Sequence, residues 1–446
     1  MAVMTVEQKA ARRERWAWYL YDFGNSAYAA VVLLAVYSAY FQGAVVGGAE
    51  GSRLWGIAVG IAMLTVAITA PFLGTIADFS GAKKRFLLYF TMLSVTFCGL
   101  LFFVQRGDWF IGMLFFILAE IGYRASQVFY NALLIDIAYT DEMPKVSGNG
   151  WAIGSLGGIV CLLIVLIPIV LTKSDPLVVR LSLIFTAIFY AVSAIPAFLW
   201  IEERTKGQKL PKGSNYLAVA LKRLGETFRA VKNYREFIKF IIALLIYNDG
   251  ILMVMDFAAI LGAVLFGMEQ QELIIFMIIV QVTSVVGAYL FGLIANDFGS
   301  KRSLVVSLLL MIVPVVWLFF SHSKLEFYFI GGLAGFALTG VQSVSRTIVG
   351  VFSPPSKSTE FYAFEAVAGR TSSFIGPTLF GLLVAWATQR YLDSGLAETA
   401  AIEMGHRVSL LAIVAFLAVG LIVLLTVNEK RARQAATLPN GEADIK

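Results

Sequence analysis

The chain has 446 residues, of which 59% are hydrophobic and only 14% charged, with a formal net charge of +6. No soluble core needs so much apolar sequence, so composition excludes a water-soluble globular domain and points to a polytopic, all-α membrane protein. The modest positive charge is accounted for by membrane topology and anionic lipid, and gives no support to nucleic-acid binding.

Apolar runs long enough to cross a bilayer of about 30 Å recur twelve times, near 17–42, 54–77, 86–104, 109–138, 148–171, 178–201, 237–266, 272–295, 303–320, 327–350, 361–387 and 407–427. If the N-terminus lies in the cytoplasm, 25 Lys and Arg fall in the inner segments and 7 in the outer loops, which places both termini inside. The first run follows basic residues as a signal peptide would, but it is too long and too polar at its start, so it is read as a retained helix.

In chain order, the first run opens on YDFGNSAY, which brings Asp22, Asn25 and Ser26 into an otherwise apolar helix. A carboxylate in hydrocarbon is costly and marks a functional position, here one wall of a central polar cavity; the bland alternative is a cap that packs beside Trp18 and Tyr21. The second run carries Gly56 and Gly60, a close-packing spacing, and ends in GTIADFSG followed by Lys83, Lys84 and Arg85.

The fourth run places Glu120, Arg124, Gln127 and Asn131 at steps of four, three and four, one polar stripe on an apolar helix. Glu120 and Arg124 can pair within the helix, either to fix packing or to line a cavity. Asp136 follows at the inner end of that helix. Gly150, Gly154 and Gly158 repeat a small-residue spacing on the fifth run.

Residues 202–236 form the longest hydrophilic segment, and divide the runs six and six. After a Ser214/Asn215 cap signal, Leu217, Leu221, Leu224, Phe228 and Val231 recur at helical spacing, as in an amphipathic helix lying on the inner leaflet rather than a plain solvated linker. The organisation read from this is an N-terminal half at 1–201, a cytoplasmic linker at 202–236, a C-terminal half at 237–430 and a tail at 431–446.

The seventh run carries Asn248, Asp249 and Asp256, the tenth Gln342 and Arg346, and the eleventh Glu365 and Arg370. Arg124, Arg346 and Arg370 remain within apolar runs after all loop cations are counted, so each needs a partner or a watered cavity. A buried carboxylate facing such groups can take up and release a proton as its surroundings change. Asp22, Glu120, Asp249 and Glu365 are candidates for coupling or substrate contact. His322 and His406 fall in outer loops, where a surface role is expected. Cys98 and Cys161 lie inside different runs, with too few partners for a metal site.

The halves repeat each other. GTIADFSG (74–81) and GLIANDFG (292–299) share the frame G-x3-[D/N]-x2-G at an offset of 218; Tyr21-Asp22 and Tyr247-Asn248-Asp249 lie 226 apart, and VSGN and VAGR 221 apart. A duplicated six-helix unit is the mark of a secondary transporter, with the site between the repeats. There is no phosphate-binding loop, no HExxH and no nucleophile elbow, so neither an enzyme nor a cofactor is expected and transport must draw on a gradient.

GTIADFSGAKKR and its second copy GLIANDFGSKR resemble the loop motif of the major facilitator superfamily. WYLYDFGNSAY, FYNALLIDIA, VSGNGWAIGSLGG, IYNDGILMVMDFAAI and SRTIVGVFSPPSKSTEFYAFEAVAGRTSSFIGP are similar to the vacuole effluxer family, which is related to a fungal autophagy protein of the vacuolar membrane and is widespread in bacteria. The resemblance implies twelve transmembrane helices in two pseudo-symmetric six-helix bundles that alternate in access, in a bacterial inner membrane. It implies a small-molecule substrate, such as an amino acid; the buried carboxylates add the expectation of proton-coupled efflux, and a monomer is expected. Broad-specificity drug or metabolite export is the alternative, and a non-transporting receptor or scaffold the remaining one. It also implies gating contacts at Gly74, Asp78, Gly81, Lys84 and Arg85, with Asp136 as a partner. Gly292, Asn296, Asp297, Gly299, Lys301 and Arg302 form the second copy, in which Asn296 takes the acidic position and Asp297 falls one place late.

Overall fold

In the computed structural model, residues 6–138, 143–204, 215–354 and, with gaps at 363, 366–367 and 370–372, 361–437 are described, and they form helices without a strand. Eleven segments among them are long and apolar enough to span a bilayer. The remaining expected span, 361–387, includes residues outside the described set; its described part begins the helix Ile375–Asp393.

The helices are α1 (Val6–Tyr28), α2 (Gly48–Ser80), α3 (Lys83–Leu100), α4 (Trp109–Ala132), α5 (Met143–Leu171) and α6 (Pro176–Trp200). They continue as α7 (Tyr216–Val231), α8 (Arg235–Phe266), α9 (Gln270–Phe298), α10 (Ser300–Phe320), α11 (Lys324–Phe352), α12 (Ile375–Asp393), α13 (Glu398–Leu425) and α14 (Glu429–Thr437). The first span continues beyond α1 through wider π-type turns, Ala29–Ala35 and Phe41–Val46.

Local chemistry sets the ends. Asp175 accepts the Leu177 N–H at 2.7 Å with Pro176 in the first turn of α6, and Asn215 accepts the Ala218 N–H at 2.7 Å to start α7 as its cap signal predicts. Gly81 ends α2 at φ 59°, a left-handed conformation that a side chain would strain.

The chain divides into two compact units. One holds the residues up to Gly47, Ile68–Ala220 and Glu269–Ile274; the other holds Gly48–Ala67, Leu221–Met268 and Ile275 onward. Within the first, α1 packs on α5 and α6, and α3 packs on α4 and α6. Within the second, α8 packs on α12 and α13, and α10 packs on α11 and α13. The pairings match position by position, which is the structural form of the sequence repeat.

The outer-loop reading of His406 is corrected, and with it that of Arg407, one of the seven cations counted in the outer loops. Both lie inside α13, at 0% and 4% exposure. Arg407 donates to the carbonyls of Phe319 at 3.0 Å and Ser321 at 2.9 Å, and so supplies donors and positive charge to the acceptors at the end of α10.

Candidate functional site

The first unit holds a directed chain of hydrogen bonds. Thr91 gives its only hydroxyl hydrogen to the Leu87 carbonyl at 2.7 Å, so at 2.7 Å the Tyr21 hydroxyl must be the donor to Thr91. Tyr21 then accepts from Tyr190 at 2.9 Å, Tyr190 accepts from the Asn25 amide at 2.8 Å, and the Asn25 carbonyl oxygen accepts from Gln127 at 3.1 Å. Four spans are tied by one chain in which every bond polarises the next. Gln127 is its half-buried end; Tyr21 and Tyr190 are fully buried.

Asn25 and Gln127, chosen from separate runs, are thus in direct contact. Glu120 and Arg124 also pair, at 2.7 Å, with Glu120 at 0% exposure, and the guanidinium stands 5.3 Å from the Tyr123 ring centre. The buried Tyr28 hydroxyl is the neighbour of the Glu120 carboxylate, within reach of its second oxygen.

Asp22 occupies a notch made by glycine. A methyl at Gly154 would lie within 3.0 Å of the Asp22 carboxylate, a methyl at Gly150 within 3.0 Å of the Trp18 ring, and one at Gly157 within 3.0 Å of the Phe23 backbone. The small-residue face of α5 therefore runs through Gly150, Gly154 and Gly157, and it admits a ring, a carboxylate and a backbone of α1 in turn. Trp18 further stacks on Tyr130 at 4.3 Å and donates its indole N–H to the Tyr130 carbonyl at 3.0 Å.

In the second unit, Ser345 donates to the Val341 carbonyl at 2.6 Å, so the Tyr247 hydroxyl donates to Ser345 at 2.7 Å. Asp249 and Asp256 are 3% and 2% exposed. The Asp249 backbone lies within 3.0 Å of where a Gly376 side chain would begin, and its Oδ1 is buried without a hydrogen bond among the described residues. Tyr362 is within electrostatic reach of both Arg346 and Glu365, and its hydroxyl donates to the Arg346 carbonyl at 3.2 Å. Asn131, Gln342 and Arg346 are exposed; Asn248 and Glu365 are half-buried. Arg370 lies outside the described residues, as do the side chains at Asp78, Gly292, Asn296 and Asp297.

A polar belt surrounds the end of each unit that carries a chain terminus. In the first, Lys83 pairs with Asp136 at 3.0 Å, with side chains 3% and 0% exposed. Asp136 also accepts the Arg204 N–H at 3.1 Å, and Arg204 grips both oxygens of Glu14 at 2.9 and 2.8 Å. Asp136 is thus held by both Lys83 and Arg204. Lys84 instead donates to the Ile201 carbonyl at 2.5 Å, and Arg85 is exposed.

The second unit repeats the belt. Lys301 donates to the Val427 carbonyl at 2.5 Å, as Lys84 does to Ile201, and Glu236 accepts the Asn428 N–H at 2.5 Å, as Glu14 accepts that of Glu202 at 3.3 Å. The residue pairs Ile201/Val427 and Glu202/Asn428 both stand 226 apart, the offset of Tyr21 and Tyr247.

The family model described as "Vacuole effluxer Atg22 like" matches residues 55–437. The chain belongs to this family. A Bacillus subtilis relative, described as the uncharacterized MFS-type transporter YxiO, is 27% identical over 384 residues, covering 84% of this chain and 89% of the relative. Autophagy-related protein 22-1 of Aspergillus niger is 28% identical over 268 residues, which cover 55% of this chain and 43% of the fungal protein. Among solved structures, a bacterial homolog of the human lysosomal transporter Spinster overlays with a TM-score of 0.71 at 14% identity, covering 98% of this chain and 100% of that one. The nucleoside transporter NupG overlays with a TM-score of 0.64 at 14% identity, covering 94% and 100%. The chain therefore has the major facilitator fold and is a membrane transporter of that type, not an enzyme.

Sequence reasoning missed Thr91, Tyr190 and Ser345 in the polar cores, and Glu14, Lys83 and Arg204 in the belt. Single hydroxyls on apolar helices carry no signal until a partner helix is placed. The belt had one legible cue, because Glu202 and Glu203 stand at the repeat offset of 226 from Asn428 and Glu429.

Proposed function

We propose that this transporter moves a small polar solute, an amino acid or related zwitterion, by gradient-driven alternating access, with proton-coupled efflux. One observation carries the reading: Glu120 and Asp249 are buried carboxylates, Glu120 beside the Tyr28 hydroxyl and Asp249 with Oδ1 free of any hydrogen bond among the described residues. A buried acceptor left open costs about 1–3 kcal/mol, and more when charged, unless a proton or a cationic ligand group fills it. Arg124, paired with Glu120 and partly exposed, offers the complementary charge for a carboxylate. A zwitterion satisfies both kinds of group.

Support for efflux comes from the family, whose model is described as a vacuole effluxer. In this reading Asp22, Asn25, Gln127, Asn248, Asp256, Gln342, Arg346, Glu365 and Arg370 join the substrate and coupling set. The belt of Lys83, Asp136, Arg204 and Glu14 acts as the gate on the cytoplasmic side.

The test is thermal stabilisation of the purified protein by a panel of amino acids, dipeptides, organic acids, drugs and sugars, with Asp22→Asn, Asp249→Asn and Arg370→Ala alongside. A ligand at one hundred times its Kd stabilises by about 2.7 kcal/mol. The reading stands if one zwitterionic class stabilises the parent and these variants lose the effect. Stabilisation by a sugar, a lone anion or a lipophilic drug, with zwitterions inert, overturns it.

A further inference from the structure

The seam between the first part of α2 and the helices of the second unit has no role in that reading. Ser52, Trp55, Gly56, Val59 and Gly60 share one face of α2 by their spacing. Ser52 Oγ meets His406 Nε2 of α13 at 2.7 Å, and the Trp55 indole N–H donates to the Asp256 carbonyl of α8 at 2.8 Å. A methyl at Gly56 would lie within 3.0 Å of the Pro377 carbonyl, and one at Gly60 within 3.0 Å of the Thr378 hydroxyl. Ser52, Trp55, Val59 and His406 are all 0% exposed.

The other ring nitrogen of His406, Nδ1, faces the Ile402 carbonyl at 2.8 Å. A carbonyl can only accept, so Nδ1 carries the hydrogen. In the neutral ring Nε2 is then the acceptor, and Ser52 is the donor. The seam is latched by one directional bond between two buried side chains.

The division of α2 coincides with a break in its chemistry. Residues up to Ala67 belong to the second unit, and Ile68 onward to the first. Pro71 has no N–H, so the carbonyl four residues earlier, that of Ala67, is deprived of its helical donor. A helix bends most easily at such a point. The repeat partner α9 has Tyr289 at the offset of 218 and no proline, so this joint belongs to α2 alone of the pair.

We infer that Gly48–Ala67 is a gate segment hinged at Ala67–Pro71, docked through its glycine face onto α12 and held shut by the Ser52–His406 bond. His406 is a positioning residue of the transport cycle: it holds the segment and touches no solute. The gate swings free when the bond breaks and re-docks when it reforms.

The experiment uses Val59→Cys as reporter in full-length protein with Cys98→Ala and Cys161→Ala, both native cysteines being buried. Labelling of intact cells and of inverted vesicles by a membrane-impermeant maleimide reads the gate whatever the solute is. The parent reporter should label slowly. His406→Ala and Ser52→Ala should each raise the rate roughly fivefold, the effect of losing about one hydrogen bond, and from one side of the membrane only. Gly60→Ala should raise it too. Adding Thr378→Ala removes the hydroxyl that meets the new methyl, together with its long 3.5 Å bond to the Gly56 carbonyl, and should return the rate towards that of Thr378→Ala alone. Pro71→Ala, which restores the N–H, should lower labelling in the His406→Ala background.

A structural packing role alone would lower the melting temperature of these variants without side-specific labelling, and that result overturns the inference. So does equal labelling of the parent and His406→Ala, or a Gly60→Ala phenotype that Thr378→Ala leaves untouched.

Discussion

The first helices of the two repeats carry the same frame, Tyr-x-x-Gly, as Tyr21-Asp22-Phe23-Gly24 and Tyr247-Asn248-Asp249-Gly250. In both, the tyrosine hydroxyl donates to a Thr or Ser that passes its own hydrogen to a carbonyl of its helix. In both, the glycine faces the last span of its unit: Tyr190 and Ser193 on α6 for Gly24, Phe416 and Leu417 on α13 for Gly250. The next backbone step lies against a glycine in each, Gly157 for Phe23 and Gly376 for Asp249.

What differs is the place of the carboxylate. It moves from the second position of the frame to the third, and one residue turns a side chain by about 100° around a helix of 3.6 residues per turn. Asp22 is half-buried in the notch at Gly154, whereas Asp249 is 3% exposed with an open oxygen. Duplication preserved the backbone contacts, which tolerate no added atom, and left the acidic group to take a different direction in each half.

The sharpest way to separate the halves is at their belts. Lys83 sits in a buried ion pair, and losing one member of such a pair costs about 3–5 kcal/mol, so Lys83→Met should lower thermal stability severely. Lys301, which the offset of 218 aligns with Lys83 but which bonds as Lys84 does, caps helix-end carbonyls instead, and Lys301→Met should cost about 1 kcal/mol. Equal losses in melting curves of the two variants would mean that the belts are energetically alike despite their different partners.

The glycine contacts are the strongest claim of likeness. Gly157→Ala and Gly376→Ala each force a methyl into a backbone of α1 or α8, and each should cost about 1–3 kcal/mol by overpacking. A neutral Gly376→Ala beside a damaging Gly157→Ala breaks the equivalence. Gly154→Ala should cost a similar amount through Asp22, and Asp22→Ser should recover much of that stability in the double variant while transport stays lost.

Much of this was legible in the sequence for a physical reason. Span length, the Glu120/Arg124 spacing and the repeat offsets are properties of one helix or of the linear chain. Relations between helices were not legible. Gly157, which the spacing of the small residues did not single out, meets the Phe23 backbone of α1, because a face of α5 is chosen by the partner it packs on. His406 looked like a loop residue because α13 begins at Glu398, nine residues before the apolar run that starts at Arg407. The belt contacts of Glu14 and Arg204 join residues 190 apart, a pairing that no local pattern can announce.

The smallest expected difference tests the tyrosines themselves. Tyr21→Phe removes the donor to Thr91 and the acceptor of Tyr190, two bonds worth about 1 kcal/mol each. It also leaves the Tyr190 hydroxyl, buried at 0% exposure, without the acceptor it used. Tyr247→Phe removes one bond, and its partner Ser345 still donates to Val341. Tyr21→Phe should therefore lose about twice as much stability as Tyr247→Phe. The directed chain adds a further expectation, because cooperative bonds weaken together. Gln127→Ala in the Tyr21→Phe background should then cost less than it does alone. Strict additivity of the two changes would show that the chain is a set of separate contacts, and that the two first helices differ in their carboxylates but not in how their tyrosines are held.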